Sequence, residues 1–295
     1  MKKNDPTNVV PLFGESRDLL LPEMKIETVK AVSKLLPTAE AGKAIDLTGW
    51  PKLFMAVGRG RVGKTTLLRW AVERAMANEG ADPPILFSVS GAPRLANFFP
   101  DVYSPPVGDT RQSVAWLERR IARLVEIKRT AVIDFGGGDT ALSTMAAEHD
   151  LAAWLQEAGV MPVVFYMLGA DQFDLSPLKT MEEIGFQPKA TALVLNCGIE
   201  DGDDYEQVFA QVRHHSVYRA AIDRGAQEVW MPKLFAAADV ENRNIGFRES
   251  MNWAGGKSPT DGRNIGPIDM PARRRVHRWL ELMDSSFDSL KSWLP

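Results

Sequence analysis

Residues 58–66 read Gly58-Arg59-Gly60-Arg61-Val62-Gly63-Lys64-Thr65-Thr66 and contain the pattern G-x-x-x-x-G-K-[ST]. In this pattern the glycines let the backbone curl around phosphate oxygens, and the lysine reaches the β- and γ-phosphates. The apolar run before it, residues 53–57, suits a buried strand. The residues after it open a helical pattern whose N-terminal dipole favours bound anions. We therefore expect residues 58–66 to hold the phosphates of a nucleotide, with the Thr65 hydroxyl contributing to a Mg²⁺ site.

Apolar runs alternate with helical patterns from residue 52 onward. The pattern predicts strands at 53–57, 85–89, 130–135, 161–168, 191–196 and 228–231, and helices at 64–77, 111–127, 141–158, 177–184 and 205–222. Strands that alternate with helices form parallel sheets covered on both faces, and ligands gather at the carboxyl ends of the strands. The fold class expected is therefore α/β, a doubly wound and mostly parallel sheet with helices on both faces.

The two ends of the chain differ from this central part. Residues 1–48 are interrupted by prolines and are interpreted as an N-terminal extension with one short helix near residues 24–36, which leaves 49–295 as the nucleotide-binding domain. A terminal amphipathic helix is expected at about 272–294. Its apolar stripe comprises Val276, Leu280, Met283, Phe287, Leu290 and Leu294. This helix either packs on the body of the domain or serves dimerisation or partner docking, and the sequence leaves both open.

Composition limits the classes of function. The formal net charge of -3 gives no global attraction to nucleic acid or to a membrane, so any such binding requires a local patch. The single cysteine, Cys197, excludes an intramolecular disulfide and a multi-cysteine zinc site. The N-terminus lacks the apolar core of a signal peptide, and no run of transmembrane length occurs. A cytoplasmic protein without a membrane partner is expected.

Asp134 is the candidate for the second half of a magnesium site. It follows the apolar run 131–133 and precedes the glycine-rich loop 136–138, which could sense a γ-phosphate. Mg²⁺ bound to nucleotide keeps several waters and takes few protein ligands, often an acid at the end of a neighbouring strand. The alternative is that Asp134 caps the next helix, although Asp139 is better placed for that role.

From Leu53 to Lys233 the chain resembles the ParA/MinD group of P-loop ATPases, which position plasmids, chromosomes and protein machines. That family carries a K-G-G-x-G-K-[ST]-[ST] loop, and residues 59–66 align with it, with Arg59 in the place of the signature lysine. In the family this residue reaches the partner's nucleotide across a dimer interface. The resemblance thus implies an ATP-dependent homodimer in which Arg59 acts in trans, with Lys64, Arg59 and Asp134 as the catalytic residues.

Two later positions extend the resemblance. Asn196, at the end of the run 193–195, looks like the family's adenine-reading asparagine, and Pro232 looks like the proline whose following loop borders the base. ATP and Mg²⁺ are the implied cofactors. One departure concerns the second strand, which in the family ends in acids that help position the attacking water, whereas this chain has Ser88 and Ser90. Slow hydrolysis, or nucleotide binding without turnover, is therefore expected.

The densest basic cluster lies at the start of the terminal helix. Its candidate DNA-binding residues are Arg273, Arg274, Arg275 and Arg278. They could bind DNA phosphates without reading sequence, or form a solvated face. The first class of function is a nucleotide switch in DNA or plasmid partition, conjugative transfer or positioning of a complex, with an adaptor protein as a further partner. The alternatives are a hydrolysis-deficient regulatory or scaffold protein and an ATP-dependent small-molecule synthetase.

Overall fold

Seven parallel strands form the central sheet of the computed structural model, which describes residues 36–39, 42, 44–90, 94–106, 109–138, 140–202 and 204–295. The strands are β1 (Lys52–Val57), β2 (Ile85–Ser88), β3 (Val102–Tyr103), β4 (Ala131–Asp134), β5 (Met161–Leu168), β6 (Ala190–Asn196) and β7 (Gln227–Met231). Their order is β3-β2-β4-β1-β5-β6-β7. The central strand β1 thus pairs with β4 on one side and β5 on the other.

Helices cover both faces of the sheet. They are α1 (Lys64–Met76), α2 (Thr110–Ile127), α3 (Ala141–Glu148), α4 (Leu151–Glu157), α5 (Ser176–Glu183), α6 (Tyr205–Val208), α7 (Ala210–His214), α8 (Ser216–Asp223), α9 (Ala237–Glu241), α10 (Phe247–Met251) and α11 (Met270–Ser286). Short 3₁₀ turns lie at Arg94–Asn97, Gln172–Leu175, Cys197–Ile199 and Asp288–Leu290, and a small antiparallel hairpin joins β8 (Gly256–Lys257) to β9 (Asn264–Ile265). The expected doubly wound α/β fold is confirmed.

The strands alternate their side chains between two cores. Along β1, Phe54 and Ala56 join the core beneath α1 and α11, whereas Leu53 and Met55 join the core beneath α2 to α8. Successive side chains of a strand point to opposite faces, so a strand buried on both faces is a continuous apolar run. This explains why the strand positions were readable from the sequence.

Two long predicted helices are broken. The expected helix 141–158 is interrupted at His149, which has an extended backbone, and Asp150 then caps α4 by accepting a hydrogen bond from the N–H of Ala153. Likewise, 205–222 is divided into α6, α7 and α8, with His215 extended between the last two. Capping side chains can end a helix and start a new one, and such a break does not show in the spacing of apolar residues. The two-residue edge strand β3 was not predicted.

The terminal segment is part of the domain. Helix α11 ends at Ser286, not near residue 294, and a 3₁₀ turn follows. Phe287 packs against Trp70 of α1 and stacks on Phe165 of β5, with ring centroids 4.9 and 6.0 Å apart. Five of the six residues of the apolar stripe are buried and Leu280 is partly buried, so the stripe packs on the body of the domain.

Residues upstream of 49 share this packing. Leu47 is buried, its N–H donates to Ser292 Oγ at 3.2 Å, and the Trp293 indole donates to the Ile45 carbonyl at 2.7 Å. The folded unit thus extends upstream of the expected boundary at residue 49. The short helix expected near residues 24–36 falls on residues 24–35, outside the described part of the chain, and on Leu36, which is described as a bend. Among the described residues, no helix combines the length and apolarity needed to cross a membrane.

Candidate functional site

A cavity of about 640 Å³ opens at the carboxyl edge of the sheet. Its walls include the loop between β1 and α1, the ends of β4 and β6, the 3₁₀ turn at Arg94–Asn97, and parts of α9 and α11. The strand order changes direction at β1, because the chain goes from β1 to β2 on one side and later from β5 to β6 on the other. Ligands of open parallel sheets bind at such a switch point.

The loop between β1 and α1 has the shape that its sequence predicts. Gly63 caps α1 with φ 94°, and Arg61 has φ 68°, so two residues of the loop adopt the left-handed conformation. The Lys64 ammonium folds back over the loop and donates to the carbonyls of Gly58 and Arg59 at 2.8 and 2.7 Å. Burial lowers the pKa of Lys64, and attraction to Asp134 opposes that effect. A buried cation is thus held at the floor of the cavity.

Asp134 faces this cation from the end of β4. Its Oδ2 lies 3.5 Å from the Thr65 hydroxyl, and the carboxyl is almost completely buried. Burial raises the pKa of Asp134 to about 6, while the charges of Lys64 and Arg94 and the hydrogen bond from Thr65 oppose the rise. A hydroxyl and a carboxylate side by side are oxygen ligands of the kind that Mg²⁺ takes beside phosphates. Asp134 caps no helix among the described residues, because the N-cap position of α3 is Thr140.

The glycine-rich loop after β4 lies directly against residues 58–63, the loop between β1 and α1 that we call the phosphate loop. A Cβ added at Gly137 would come within 2.5 Å of the Gly60 Cα, so only glycine fits this contact. Asp139, the other expected cap, lies outside the described residues. A shift in the backbone of either loop must therefore displace the other loop.

The end of β2 carries no acid beside Asp134. Ser88 is in register with Asp134, and its buried hydroxyl has no hydrogen-bond partner among the described residues. Ser90 lines the cavity next to Gly136. The geometry therefore places serines where the resemblance expected carboxylates.

Arg94 is a site residue that sequence reasoning missed. It begins the 3₁₀ turn after β2, lines the cavity together with Lys64 and Thr65, and lowers the pKa of Asp134 through its charge. Arg94 could not be identified from the sequence because it lies far from residues 58–66 along the chain and no motif surrounds it. An arginine here could bind a phosphate group through two parallel hydrogen bonds.

Arg59 pairs within its own chain. Its guanidinium contacts Asp171 and Asp174 at 3.3 and 3.2 Å, in the loop that follows β5. Asp174 is buried and also accepts a hydrogen bond from the N–H of Gly169 at 3.0 Å. Burial raises the pKa of Asp174, against the opposing effects of that N–H and of Arg59.

Asn196 braces the phosphate loop. Its side-chain amide donates to the Val62 carbonyl at 2.9 Å, and its Oδ1 accepts from the N–H of Gly198 at 2.9 Å. A Cβ added at Gly63 would collide with this amide, so the loop and β6 are in direct contact. Sequence reasoning placed Asn196 at the site but did not predict this bracing role.

Pro232 lies where a base-binding wall is expected. It lines the cavity beside Met231, Leu234 and Ile199, and its carbonyl accepts from the Trp279 indole at 2.9 Å. Helix α11 therefore fixes this wall.

Arg69 closes the far end of the cavity. Its guanidinium lies between the rings of Phe98 and Phe247, 3.7 and 3.8 Å from their centroids, and donates to the Ile245 carbonyl. Glu73 pairs with Arg69 and accepts from the N–H groups of Phe247 and Arg248. Arg69 and Glu73 of α1 thus join the segment after β2 to α10.

The basic cluster needs one correction. Arg273 is only 8% exposed, stacks on the Trp253 ring at 3.8 Å and donates to the Met251 carbonyl. It is an internal contact and not a surface charge. Arg274 and Arg275 are exposed and Arg278 is partly exposed, so these three remain as the candidate DNA-binding residues.

The parallel sheet, the glycine-rich loop after β1 and helix α1 form an α/β fold with a P-loop. Three similar solved structures are the cell division protein FtsY from Thermotoga maritima (14% identity, 85% of this chain and 75% of that chain, TM-score 0.38), chloroplast FtsY from Physcomitrella patens (15%, 85% and 72%, 0.36) and FlhF complexed with GMPPNP/Mg²⁺ (13%, 64% and 70%, 0.33). No protein-family model and no curated protein matches. The comparisons lend no support to the finer resemblance to the ParA/MinD group.

Proposed function

We propose that the chain is a nucleotide-dependent switch that binds ATP with Mg²⁺ through residues 58–66 and hydrolyses it slowly. The observation that carries this proposal is the convergence of Lys64, Thr65 and Asp134 on one cavity at the switch point of the sheet. The loop backbone, an ammonium and a hydroxyl–carboxylate pair are the groups that a triphosphate and its metal require.

The residues present fit a magnesium ion. Thr65 would hold it through its hydroxyl and Asp134 through bound water, and the ion would neutralise charge on the phosphates. Lys64 would exchange its two carbonyl contacts for phosphate oxygens, which would give the buried ammonium an anionic partner. Asp134 would hold its metal-bound water only when ionised.

An adenine base is favoured by the wall around Asn196. Guanine presents two N–H donors on one edge and needs a carboxylate to accept them. Neither Asn196 nor its cavity neighbours Gly198 and Ile199 carries a carboxylate, and Glu200 accepts a hydrogen bond from the N–H of Ala170 at 2.8 Å. The neighbouring residues Met231, Pro232 and Leu234 offer an apolar wall on which a base can lie. This supports ATP as the ligand.

Slow turnover follows from the groups around the γ-phosphate position. Ser88 and Ser90 provide no carboxylate to hold the attacking water, while Arg94 supplies a positive charge for developing charge on the phosphate. The same serines support a second candidate, a regulatory protein that binds nucleotide without turnover. Measured turnover decides between the two.

The proposed output is nucleotide-dependent homodimerisation with Arg59 reaching the partner's nucleotide. Arg274, Arg275 and Arg278 would then bind DNA without reading its sequence, because pairing two subunits doubles the phosphate contacts. Partition, transfer or positioning of DNA or of a complex, with an adaptor protein, remains the cellular role proposed for such a switch.

The test is a titration with fluorescent ATP and GTP analogues, with Mg²⁺ or with EDTA. We expect ATP binding that needs Mg²⁺, and a loss of about 10- to 100-fold in Lys64→Ala because a charged hydrogen-bond donor is removed. Lys179→Ala is the matched control, since Lys179 is exposed on α5. Equal affinity of Lys64→Ala and wild type would contradict the assignment, and tighter binding of GTP would contradict the choice of adenine.

A further inference from the structure

Three loops at the carboxyl edge of β5, β6 and β7 each present one exposed apolar side chain. Phe173 and Phe235 are both 73% exposed, more than any other large apolar residue described, and Ile199 lies between them in strand order at 41%. Exposed apolar residues scattered singly need no explanation, but residues grouped on adjoining loops mark interaction sites.

Direct contacts join the three loops into one surface. The N–H of Ala170 donates to Glu200 Oε1 at 2.8 Å, and the Lys233 ammonium donates to the Glu200 carbonyl at 2.8 Å. Lys233 also lies 6.0 Å from the centroid of the Phe235 ring. We call this surface the acidic edge and define it as residues 169–175, 197–202, 204–206 and 232–236.

The acidic edge carries a strong excess of negative charge. Its exposed acids are Asp171, Asp201, Asp204 and Glu206, and Glu200 is partly exposed. Two cations offset these acids in part: Lys233, whose ammonium lies 3.5 Å from Asp201, and Arg59, which pairs with Asp171 and Asp174. Such a surface repels nucleic acid and anionic lipid and attracts cationic groups.

We propose that the acidic edge is a docking site for a basic segment of a partner protein that carries apolar anchor residues. The acids would steer the segment to the surface and fix its orientation. Phe173 and Phe235 would supply most of the affinity, because aromatic residues that become buried at an interface dominate its binding energy.

Docking here has a direct route to the phosphate loop. Asp171 and Asp174 hold Arg59, and Asp171 is exposed, so a cation of the partner that pairs with Asp171 competes with Arg59 and weakens its attachment. This step rests on the proposed function, whereas docking itself does not require nucleotide.

Fluorescence anisotropy with synthetic peptides tests the proposal on the full chain without nucleotide. The probes are an amphipathic lysine–leucine peptide, a glutamate–leucine peptide and a lysine–serine peptide. We expect only the lysine–leucine peptide to bind at moderate salt, because it alone combines the charge and the anchors. Phe173→Ser and Phe235→Ser should each weaken its binding by at least about tenfold.

Matched controls separate the surface from general effects. Trp154→Ser removes an exposed aromatic side chain on α4, and Glu79→Gln removes an acid from the connection between α1 and β2, at the opposite edge of the sheet. Both should bind like wild type, whereas the double change Asp201→Asn and Asp204→Asn should weaken binding. Lys64→Ala should also bind the peptide normally, so failure of nucleotide binding and failure of docking are distinguishable.

Three results would overturn the proposal: equal binding of all three peptides, unchanged binding by Phe173→Ser and Phe235→Ser, or light scattering that shows a concentration-dependent dimer abolished by Phe173→Ser. The last result would assign the acidic edge to a second copy of the chain.

Discussion

The guanidinium of Arg59 lies 3.2 Å from Oδ1 of Asp174, a carboxylate that is itself 8% exposed at the base of the loop after β5. The phosphate loop is thereby tied to a neighbouring loop of its own chain. For Arg59 to act on a partner's nucleotide, this ion pair must break first. The pair is therefore a restraint on the proposed switch.

Substitutions of the two members of the pair should have opposite effects on the fraction of dimer. Arg59→Ala should bind nucleotide within about threefold of wild type, since Lys64 and the loop backbone remain, yet fail to dimerise with a slowly hydrolysed ATP analogue. Asp174→Asn should release Arg59 and raise the dimer fraction. Light scattering measures both, and dimer fractions that are equal with ATP, with ADP and without nucleotide would contradict the switch.

The pKa of Asp134 predicts how stability depends on pH. Because the folded state raises this pKa from 3.8 to about 6, ionisation of the carboxyl costs stability as the pH rises through that range. Asp134→Asn should therefore be more stable than wild type at about pH 8, by at most about 3 kcal/mol. The difference should shrink toward about pH 4. Denaturant unfolding at several pH values measures it, and an equal difference at every pH would refute the prediction.

The same carboxyl should govern the magnesium dependence of nucleotide binding. In wild type the effect of Mg²⁺ on ATP affinity should weaken as the pH falls through about 6, because the protonated acid no longer holds metal-bound water. Asp134→Asn should show little effect of Mg²⁺ at any pH. A variant that retains the full magnesium response would show that Asp134 has only a structural role.

Arg94 is expected to act on turnover more than on affinity. Arg94→Ala should lower the hydrolysis rate by about 100-fold, because a charge aimed at the developing negative charge is lost, and Arg94→Lys should recover part of the rate. Arg123→Ala, on the exposed face of α2, is the control. Single-turnover kinetics at saturating ATP separates rate from binding. An unchanged rate in Arg94→Ala would remove the residue from the reaction.

The basic residues of α11 should divide into two groups. The triple change of Arg274, Arg275 and Arg278 to Ala should weaken binding to unrelated duplexes by a similar factor and reduce the salt slope by up to about 3 per subunit. Arg273→Ala should instead lower stability by about 1–2 kcal/mol, because its stacking on Trp253 and its bond to Met251 are lost. Gel shifts and thermal unfolding distinguish the groups. Loss of DNA binding in Arg273→Ala without loss of stability would reverse the assignment.

The strands and the phosphate loop could be predicted because their signals are local. An apolar run such as 161–168 is buried on both faces of a parallel sheet, and β5 has those bounds in the structure. The helix breaks could not be predicted in the same way. At His149 and His215 the chain turns because capping contacts are available, and apolar periodicity continues across both positions.

The sequence predicted which residues would lie together at the candidate site only where a motif or a strand end marks them. Lys64, Thr65 and Asp134 follow from spacing and strand ends, whereas Arg94 and the partners of Arg59 depend on which loops the fold brings together. Burial of Arg273 likewise depends on Trp253, which is twenty residues away in sequence and lies in an irregular segment. A charge run does not reveal which of its members faces inward.

The hydrogen bond from Asn196 to the Val62 carbonyl has a consequence for attempts to redesign this protein. One side chain at the end of β6 both borders the proposed base wall and supports the loop that is proposed to receive the phosphates. Changing the nucleotide preference at this position would therefore also disturb the grip on the triphosphate. New specificity would have to be introduced elsewhere in this wall, for example at Leu234, where a substitution leaves that support untouched.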